Sequence, residues 1–210
     1  EFKFFLLVIL LSVLVSTLTL LFKEGFSIND SLRFGIFQTI SIVTTTGYTL
    51  EPLSNLGNTM PFFIFIIAFI GACSGSVGGG MKAWRILTLL KIGFSNITKI
   101  MHPNAVSTTK MNGEKISSSQ IEAVFSFIAI YIAFFLLFLF VLIFQNVDFY
   151  SAFSGTAAAI NNLGPGLGQF AENYSSLSDS AKLTLAGAMI VGRLELFGVL
   201  ILLFPSYWRS

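Results

Sequence analysis

The stretch "FFIFIIAFIGACSGSVGGGMKAWR", residues 62–85, decides the fold. It begins as an apolar run that is typical of a membrane helix, and it continues as a segment rich in glycine. Five of the ten residues from Gly71 to Gly80 are glycine. A phosphate-binding loop of the form G-x-x-x-x-G-K-[ST] needs Lys directly after its last glycine, followed by a hydroxyl residue. Here Met81 precedes Lys82, and no strand is predicted upstream. The stretch therefore favours an interrupted membrane helix over a nucleotide site.

The composition indicates a membrane protein. Hydrophobic residues make up 54% of the 210 residues and charged residues only 10%, against about 25% charged in soluble domains. The net charge of +2 and the scattered basic residues make nucleic acid an unexpected partner. The single Cys73 excludes an internal disulfide. Because the sequence begins at Glu1 without Met, we expect a fragment that lacks N-terminal sequence.

Two kinds of apolar segment alternate along the chain. Phe4–Phe22 and Val124–Phe144, with 19 and 21 residues, are predicted to cross the membrane completely. Residues 31–52 and 149–170 begin like helices and end in Thr, Asn, Gly and Pro. A helix of about fourteen residues reaches only about 21 Å, so we expect each of these segments to enter the membrane and return. An apolar run over 183–204 is predicted to be a further span.

Charge placement predicts the topology. The segment from Lys82 to Lys115 carries six basic residues and one acid, Glu114, so it is expected in the cytoplasm. If the two shorter segments re-enter, Lys3 and Arg209 also fall inside. The prediction is a multi-pass protein with loop 82–117 and the C-terminus in the cytoplasm.

The loop contains the sequence "HPNAVSTTKMNGEKIS", residues 102–117, whose central Asn112-Gly113 predicts a two-residue hairpin. His102 has no companion ligand, which favours a structural loop histidine over a pH sensor or a metal ligand. Pairs of small residues four apart are predicted to be helix-packing positions; these are Ser12 and Ser16, and Ala188 and Gly192.

A shift of 117 residues lays Gly47 on Gly164 and "TTTGY" on "NNLGP". The order of parts repeats: apolar span, short helix, glycine-centred turn, second span. Such a unit is typical of one quarter of a cation channel, because extended backbone with a glycine can point successive carbonyl oxygens at one axis. The alternative is an ordinary exposed turn between membrane helices, which Asn-Leu-Gly-Pro also suits.

The motifs "TTTGY", "GSVGGGMK", "HPNAV", "NNLGPG" and "GRLELFGVLILLFPSYWR" resemble the second half of Trk-type potassium uptake subunits, the membrane component of the bacterial Trk system. The match favours the Trk branch over the related Ktr branch and covers nearly the whole chain. It implies an all-α integral membrane protein with two span, pore helix, filter, span repeats, half of a pseudo-fourfold potassium-channel-like pore with a broken inner helix.

The resemblance divides the chain into a third-type repeat (1–95), a cytoplasmic loop (96–117) and a fourth-type repeat (118–210). It also implies potassium uptake across the bacterial inner membrane, a homodimer, and a cytoplasmic ring of nucleotide-binding regulatory subunits. No organic cofactor is expected in this chain. The alternative function is a non-conducting assembly subunit. An enzyme is not expected, since no nucleophile–base, metal or phosphate-loop constellation is present in the sequence.

Site residues follow from the resemblance. Main-chain carbonyls of two sets of residues are expected to bind potassium, namely Thr45, Thr46, Gly47 and Tyr48, and Asn162, Leu163, Gly164 and Pro165. Pro165 departs from the usual Gly-Tyr sequence of potassium channels, which predicts a less sharp discrimination of potassium from sodium. A loop and an arginine are expected to form the gate, namely Gly75, Ser76, Gly78, Gly79, Gly80 and Arg193.

The sequence also identifies Arg193 as unusual without the family resemblance. A charge inside a span costs at least about 2.5 kcal/mol, and Glu195 points about 200° away from it on a helix. A shift of 116 residues, one fewer than at the two turns, places Arg193 opposite Val77, within a glycine stretch whose carbonyls have lost their helical donors. Hydrogen bonds from Arg193 to the loop are therefore expected, and the alternative is that it snorkels or pairs with a carboxylate. For Glu195 we expect either a contact that supports the site residues from behind or a partner on a neighbouring helix.

Overall fold

The computed structural model describes residues 1–57, 59–76, 78–102, 110–111, 114–171, 173–175, 177–194, 196–203 and 205–209. These residues are mainly helical. The α-helices are α1 (Phe2–Phe22), α2 (Ile28–Val43), α3 (Thr59–Ala68), α4 (Ala83–Met101), α5 (Ser118–Phe144), α6 (Phe149–Ile160), α7 (Asp179–Arg193) and α8 (Leu196–Leu203). Two short strands, β1 (Lys110–Met111) and β2 (Glu114–Lys115), lie between α4 and α5, and short 3₁₀ segments cover Leu53–Leu56, Gly168–Phe170 and Pro205–Arg209.

Helices α1 and α5 confirm the two predicted full spans, since both are long and apolar enough to cross a membrane. Helix α5 begins six residues earlier than the apolar run because Ser117 caps it. The Ser117 side chain accepts from the Gln120 N–H, and the Gln120 side chain accepts from the Ser117 N–H. This reciprocal capping satisfies two N–H groups that would otherwise lack helical partners.

Helices α2 and α6 are too short to cross, because their 16 and 12 residues rise only about 24 and 18 Å. After each helix the backbone turns and runs back along it. In the first case the Gln38 amide donates to the Glu51 carbonyl at 2.9 Å. In the second, the Ser154 hydroxyl donates to the Leu167 carbonyl at 3.1 Å and accepts from the Leu167 N–H at 3.0 Å.

The predicted interruption at the glycine stretch is confirmed: α3 ends at Ala68 and α4 begins at Ala83. The ends of the intervening loop are joined by two backbone hydrogen bonds, from the Met81 N–H to the Phe69 carbonyl at 3.1 Å and from Ala83 to Ala72 at 3.0 Å. The two ends of the loop therefore lie close together.

The last apolar run differs from the single span that the sequence predicts. Helix α7 ends at Arg193, α8 begins at Leu196, and their axes differ by 106°. The basic Arg193 in the last turn of α7 is typical of a helix C-terminus, whose dipole favours a cation. Glu195, and with it either of its predicted contacts, lies outside the described residues.

The hairpin prediction is confirmed by the strand pairing, in which Lys110 is opposite Lys115 and Met111 is opposite Glu114. The turn residues 112–113 lie outside the described residues. The Lys91 ammonium donates to the Lys110 carbonyl at 2.7 Å, which fastens the hairpin to α4. His102, just after α4, is exposed.

Packing among the helices combines small polar contacts with aromatic rings. Ser16 on α1 is fully buried and accepts from the Thr39 hydroxyl of α2 at 2.9 Å, which confirms its predicted packing role. Phe69, Phe135 and Phe153 form successive edge-on ring pairs, each with centroids 5.4 Å apart. Such pairs contribute about 0.5–1.5 kcal/mol each beyond their buried area, so they hold the start of the glycine loop against α5 and α6.

Candidate functional site

The two glycine turns share an unusual backbone conformation. Thr45 and Gly47 have φ of 58° and 83°, and Asn162 and Gly164 have φ of 55° and 92°. Both non-glycine residues adopt the left-handed region, which a side chain disfavours. The two pairs are 117 residues apart in sequence. The two turns therefore share one backbone pattern at positions 117 residues apart.

The hydrogen bonds that close each turn match atom for atom. In each turn three successive N–H groups after the helix donate to carbonyls near its last turn. In the first turn these bonds run from Thr44 to Ile40 (2.9 Å), Thr45 to Ile42 (3.0 Å) and Thr46 to Ser41 (2.8 Å), and in the second from Asn161 to Ala157 (3.1 Å), Asn162 to Ala159 (3.1 Å) and Leu163 to Ala158 (2.8 Å). The side chains differ, so this common geometry comes from the chain path rather than from one residue type.

The turns face each other. A Cβ atom added at Gly47 would collide with the carbonyl oxygen of Leu163 and would lie 3.6 Å from the Cδ of Pro165. Glycine is therefore required at position 47 for two reasons: the positive φ, and the close approach of this residue to the Leu163 carbonyl. The structure thus brings predicted filter residues of both repeats into contact.

Helix α2 supports the first turn from behind. The Ser41 hydroxyl donates to the Tyr48 carbonyl at 2.6 Å, and the Gly47 N–H donates to the Ser41 carbonyl at 3.2 Å. The Thr44 and Thr46 hydroxyls lie 2.8 Å apart and form a further hydrogen bond. The small polar side chains around this turn therefore hydrogen-bond the backbone and each other.

Two tyrosines that the sequence reasoning did not single out support the second turn. The buried Tyr131 of α5 donates to the Asn161 Oδ1 at 2.7 Å, and Tyr174 donates to the Gly164 carbonyl at 2.7 Å. For Tyr131 a signal existed, because a hydroxyl in the middle of an apolar span needs a partner. For Tyr174, in a polar connection, the sequence carries no such signal.

The glycine loop packs against both turns. A Cβ at Gly78 would lie 2.5 Å from the Thr45 hydroxyl oxygen, and one at Gly79 would collide with the Asn161 carbonyl. By contrast, no atom of the described residues lies within 4 Å of a Cβ added at Gly75. The predicted gate residues thus divide into a tightly packed part next to the turns and an open part away from them.

Lys82, the first basic residue of the predicted cytoplasmic segment, is buried at the end of the glycine loop. Only 6% of it is exposed, and its φ is 69°. Its ammonium folds back into the loop and donates to the Ser76 carbonyl at 2.5 Å. The physical reason is that loop carbonyls without helical donors attract the nearest cation.

Arg193 lies at the end of α7 and is exposed to a cavity of about 280 Å³. This cavity is lined by Ser76, Gly78, Gly80, Lys82, Phe127, Tyr131, Gly192, Arg193 and Leu196. The predicted arginine and glycine loop therefore face one space. Within the described part of the chain, the guanidinium makes no hydrogen bond to the loop, and Val77 lies outside that part. The predicted bonds from Arg193 stay a prediction.

The apolar spans, the paired turns and the loop define an integral membrane protein, and comparison with known sequences narrows its class. A family profile described as "Cation transport protein" matches residues 2–210. The class is therefore that of membrane cation transport proteins. The chain belongs to the TrkH family.

Curated relatives bear the name Trk system potassium uptake protein TrkH. The chain is 39% identical to the protein from Salmonella typhimurium and 38% identical to that from Escherichia coli, in each case over 100% of this chain and 44% of the relative. A crystal structure of the potassium transporter TrkH from Vibrio parahaemolyticus is 40% identical, with a TM-score of 0.92, and the match covers 100% of this chain and 45% of that one. The chain thus spans less than half of the length of these relatives, which are named as transporters and not as enzymes.

Proposed function

We propose that this chain takes part in potassium uptake across the bacterial inner membrane by supplying two quarters of a carbonyl-lined ion path. Its filter consists of the carbonyls of residues 45–48 and 162–165. One observation carries the proposal: two turns with the same left-handed backbone pattern face each other, so that Gly47 approaches the Leu163 carbonyl.

The electrostatics of the two turns suit a cation. Each turn begins at the C-terminus of a short helix, at Thr44 after α2 and at Asn161 after α6. A helix C-terminus carries about half of a negative elementary charge, and it is directed here toward the turn. Backbone carbonyls can then replace the water shell of a monovalent cation such as K⁺ without a charged side chain.

In this proposal the glycine loop and Arg193 form the gate below the turns. The loop occupies the space next to both turns, and the side chains of Lys82 and Arg193 border the same cavity. Two positive charges beside a cation path raise the electrostatic barrier for K⁺. Conduction then requires the loop to move away from the turns.

The assembly and orientation of the protein are part of the proposal and rest on the family. We expect a homodimer that binds a cytoplasmic nucleotide-binding regulatory subunit through the loop 96–117, between repeats at 1–95 and 118–210. The loop 82–117 and the C-terminus lie on the cytoplasmic side. Surrounding lipid covers the exposed apolar faces of α1 and α5.

Growth of a bacterium that lacks its own potassium uptake systems tests the filter. The native protein is expected to restore growth at limiting K⁺, and Gly47→Asp is expected to reduce growth to that of cells without it, because the side chain collides with Leu163. Gly25→Asp is the matched control, since Gly25 also has a positive φ of 72° but open space around it.

Membrane abundance of each variant is measured by immunoblot. Growth that survives Gly47→Asp at normal abundance contradicts the filter and favours the alternative, a non-conducting assembly subunit.

A further inference from the structure

Tyr174 touches the second turn at its glycine. Its hydroxyl donates to the Gly164 carbonyl at 2.7 Å, from the connection that follows the 3₁₀ segment Gly168–Phe170. Its ring is stacked on Phe170, with centroids 5.1 Å apart and planes inclined by only 14°. The stacked ring thus fixes the direction from which the Tyr174 hydroxyl donates to the Gly164 carbonyl.

The stacking partner is itself immobilised. Phe170 is 1% exposed, and two glycines make room for it. A Cβ at Gly155 of α6 would collide with the ring, and one at Gly166 would lie 2.5 Å from the Phe170 Cβ. Burial raises the pKa of Tyr174 from 10 to about 12, and its hydroxyl is protonated at physiological pH even without this shift.

The peptide group that Tyr174 holds has few other restraints. Gly164 has a φ of 92°, and within the described part of the chain no atom lies within 4 Å of the place where its Cβ would be. The next residue is Pro165, so this peptide has no N–H through which the backbone could fix it. The position 117 residues earlier than Tyr174 is Gly57, which has no side chain that could act on Gly47 in the same way.

We propose that Tyr174 is a positioning residue that determines ion selectivity, by fixing the orientation of the Gly164–Pro165 peptide in the second turn. This inference rests on the proposed function. Selectivity between K⁺ and Na⁺ depends on how many carbonyl dipoles face the ion and how firmly they are held. Without the hydroxyl, the glycine lets the peptide rotate, so the second turn presents a variable number of oxygens and accommodates the smaller ion.

Tyr174→Phe tests the proposal because it removes the hydroxyl and keeps the stacked ring. The native protein and its variants are reconstituted in liposomes, and the ratio of K⁺ to Na⁺ flux is measured. We expect this ratio to fall about two- to tenfold, the range that one net hydrogen bond provides, while the K⁺ flux persists. Tyr150→Phe is the matched control, since Tyr150 is in the same repeat and its hydroxyl has no hydrogen-bond partner among the described residues.

The outcomes separate this inference from the proposed function. A K⁺ to Na⁺ ratio that is unchanged in Tyr174→Phe, while Gly47→Asp abolishes flux, overturns the role of Tyr174 alone. Flux that survives Gly47→Asp overturns the filter and the role of Tyr174 with it. If Tyr174→Phe does not accumulate, Phe170→Leu decides: it keeps the hydroxyl but loosens the stacking, so a lowered ratio supports the proposal and an unchanged ratio overturns it.

Discussion

At the scale of single residues, Thr45 and Asn162 are the most informative, because each is a non-glycine residue in the left-handed region. Such a residue costs of order 1 kcal/mol and persists only where its surroundings impose it. Thr45 is β-branched, for which a positive φ is a genuine outlier. The same conformation at the same position of two turns indicates that the closing hydrogen bonds, rather than residue preference, determine the backbone.

Tyr131→Phe is expected to destabilise the protein by about 1–3 kcal/mol. It removes the donor to the Asn161 Oδ1, and that buried amide oxygen then has no partner among the described residues. Thermal unfolding of the detergent-purified protein measures the effect as a Tm lowered by several degrees. Tyr150→Phe provides the comparison, and equal Tm values for the two variants would show that the hydrogen bond contributes nothing.

The sequence predicts the turn glycines but not the side chains that hold the turns. Gly47 and Gly164 are visible because a glycine among polar residues, just after an apolar helix, is typical of a turn that needs a positive φ. The roles of Tyr174 and Lys82 are not visible in the sequence, and for Tyr131 only the need for a partner is visible, because the identity of each partner depends on distances in the fold. Tyr131, for example, reaches a residue 30 positions later, on a different element.

At the scale of elements, the glycine loop between α3 and α4 has its two ends joined to each other. Backbone hydrogen bonds join its two ends, from Met81 to Phe69 and from Ala83 to Ala72. Lys82 adds a bond across it, to the Ser76 carbonyl. The ends of the loop are therefore joined to each other independently of its contacts with the turns.

Two glycine variants within this loop are predicted to differ. Gly79→Ala is expected to displace the loop from the second turn and to raise the basal K⁺ leak of reconstituted protein several-fold, because its Cβ collides with the Asn161 carbonyl. Gly75→Ala is expected to leave the leak near that of the unmodified protein, since its Cβ meets nothing within 4 Å. Both variants add one methyl group to one loop, so an equal leak would contradict packing of the loop on the turn.

Long apolar elements are predictable, and breaks within them are less so. Helices α1 and α5 follow directly from runs of about twenty apolar residues. The break before α4 is marked by five glycines, whereas the break after Arg193 lies in a run whose hydropathy stays high on both sides. Only Gly192 and Arg193 hint at it, and both residues also occur inside membrane helices.

At the scale of the whole molecule, the cavity beside Arg193 joins the two predicted repeats. Its wall combines the loop between α3 and α4 with the end of α7 and the side chain of Phe127 on α5. A substitution at Arg193 therefore changes the surroundings of residues from both halves. Under the proposed function, this is where a gate would act on an ion path that both halves line.

Arg193→Ala is expected to raise ion leak through the native protein in liposomes several-fold, because it removes one positive charge from beside the path. Arg193→Lys keeps the charge and should keep the leak low. The measurement is K⁺ flux at equal protein content. Equal flux in both variants and in the unmodified protein would exclude Arg193 from the gate.

The approach of Gly47 to the Leu163 carbonyl also bears on how the protein is made. Each turn rests on helices that are near neighbours along the chain, but the contact between the turns joins residues more than a hundred positions apart. During synthesis the first turn is therefore inserted before its counterpart exists. Under the proposed function, the first turn is therefore made before the carbonyls that face it in the finished ion path.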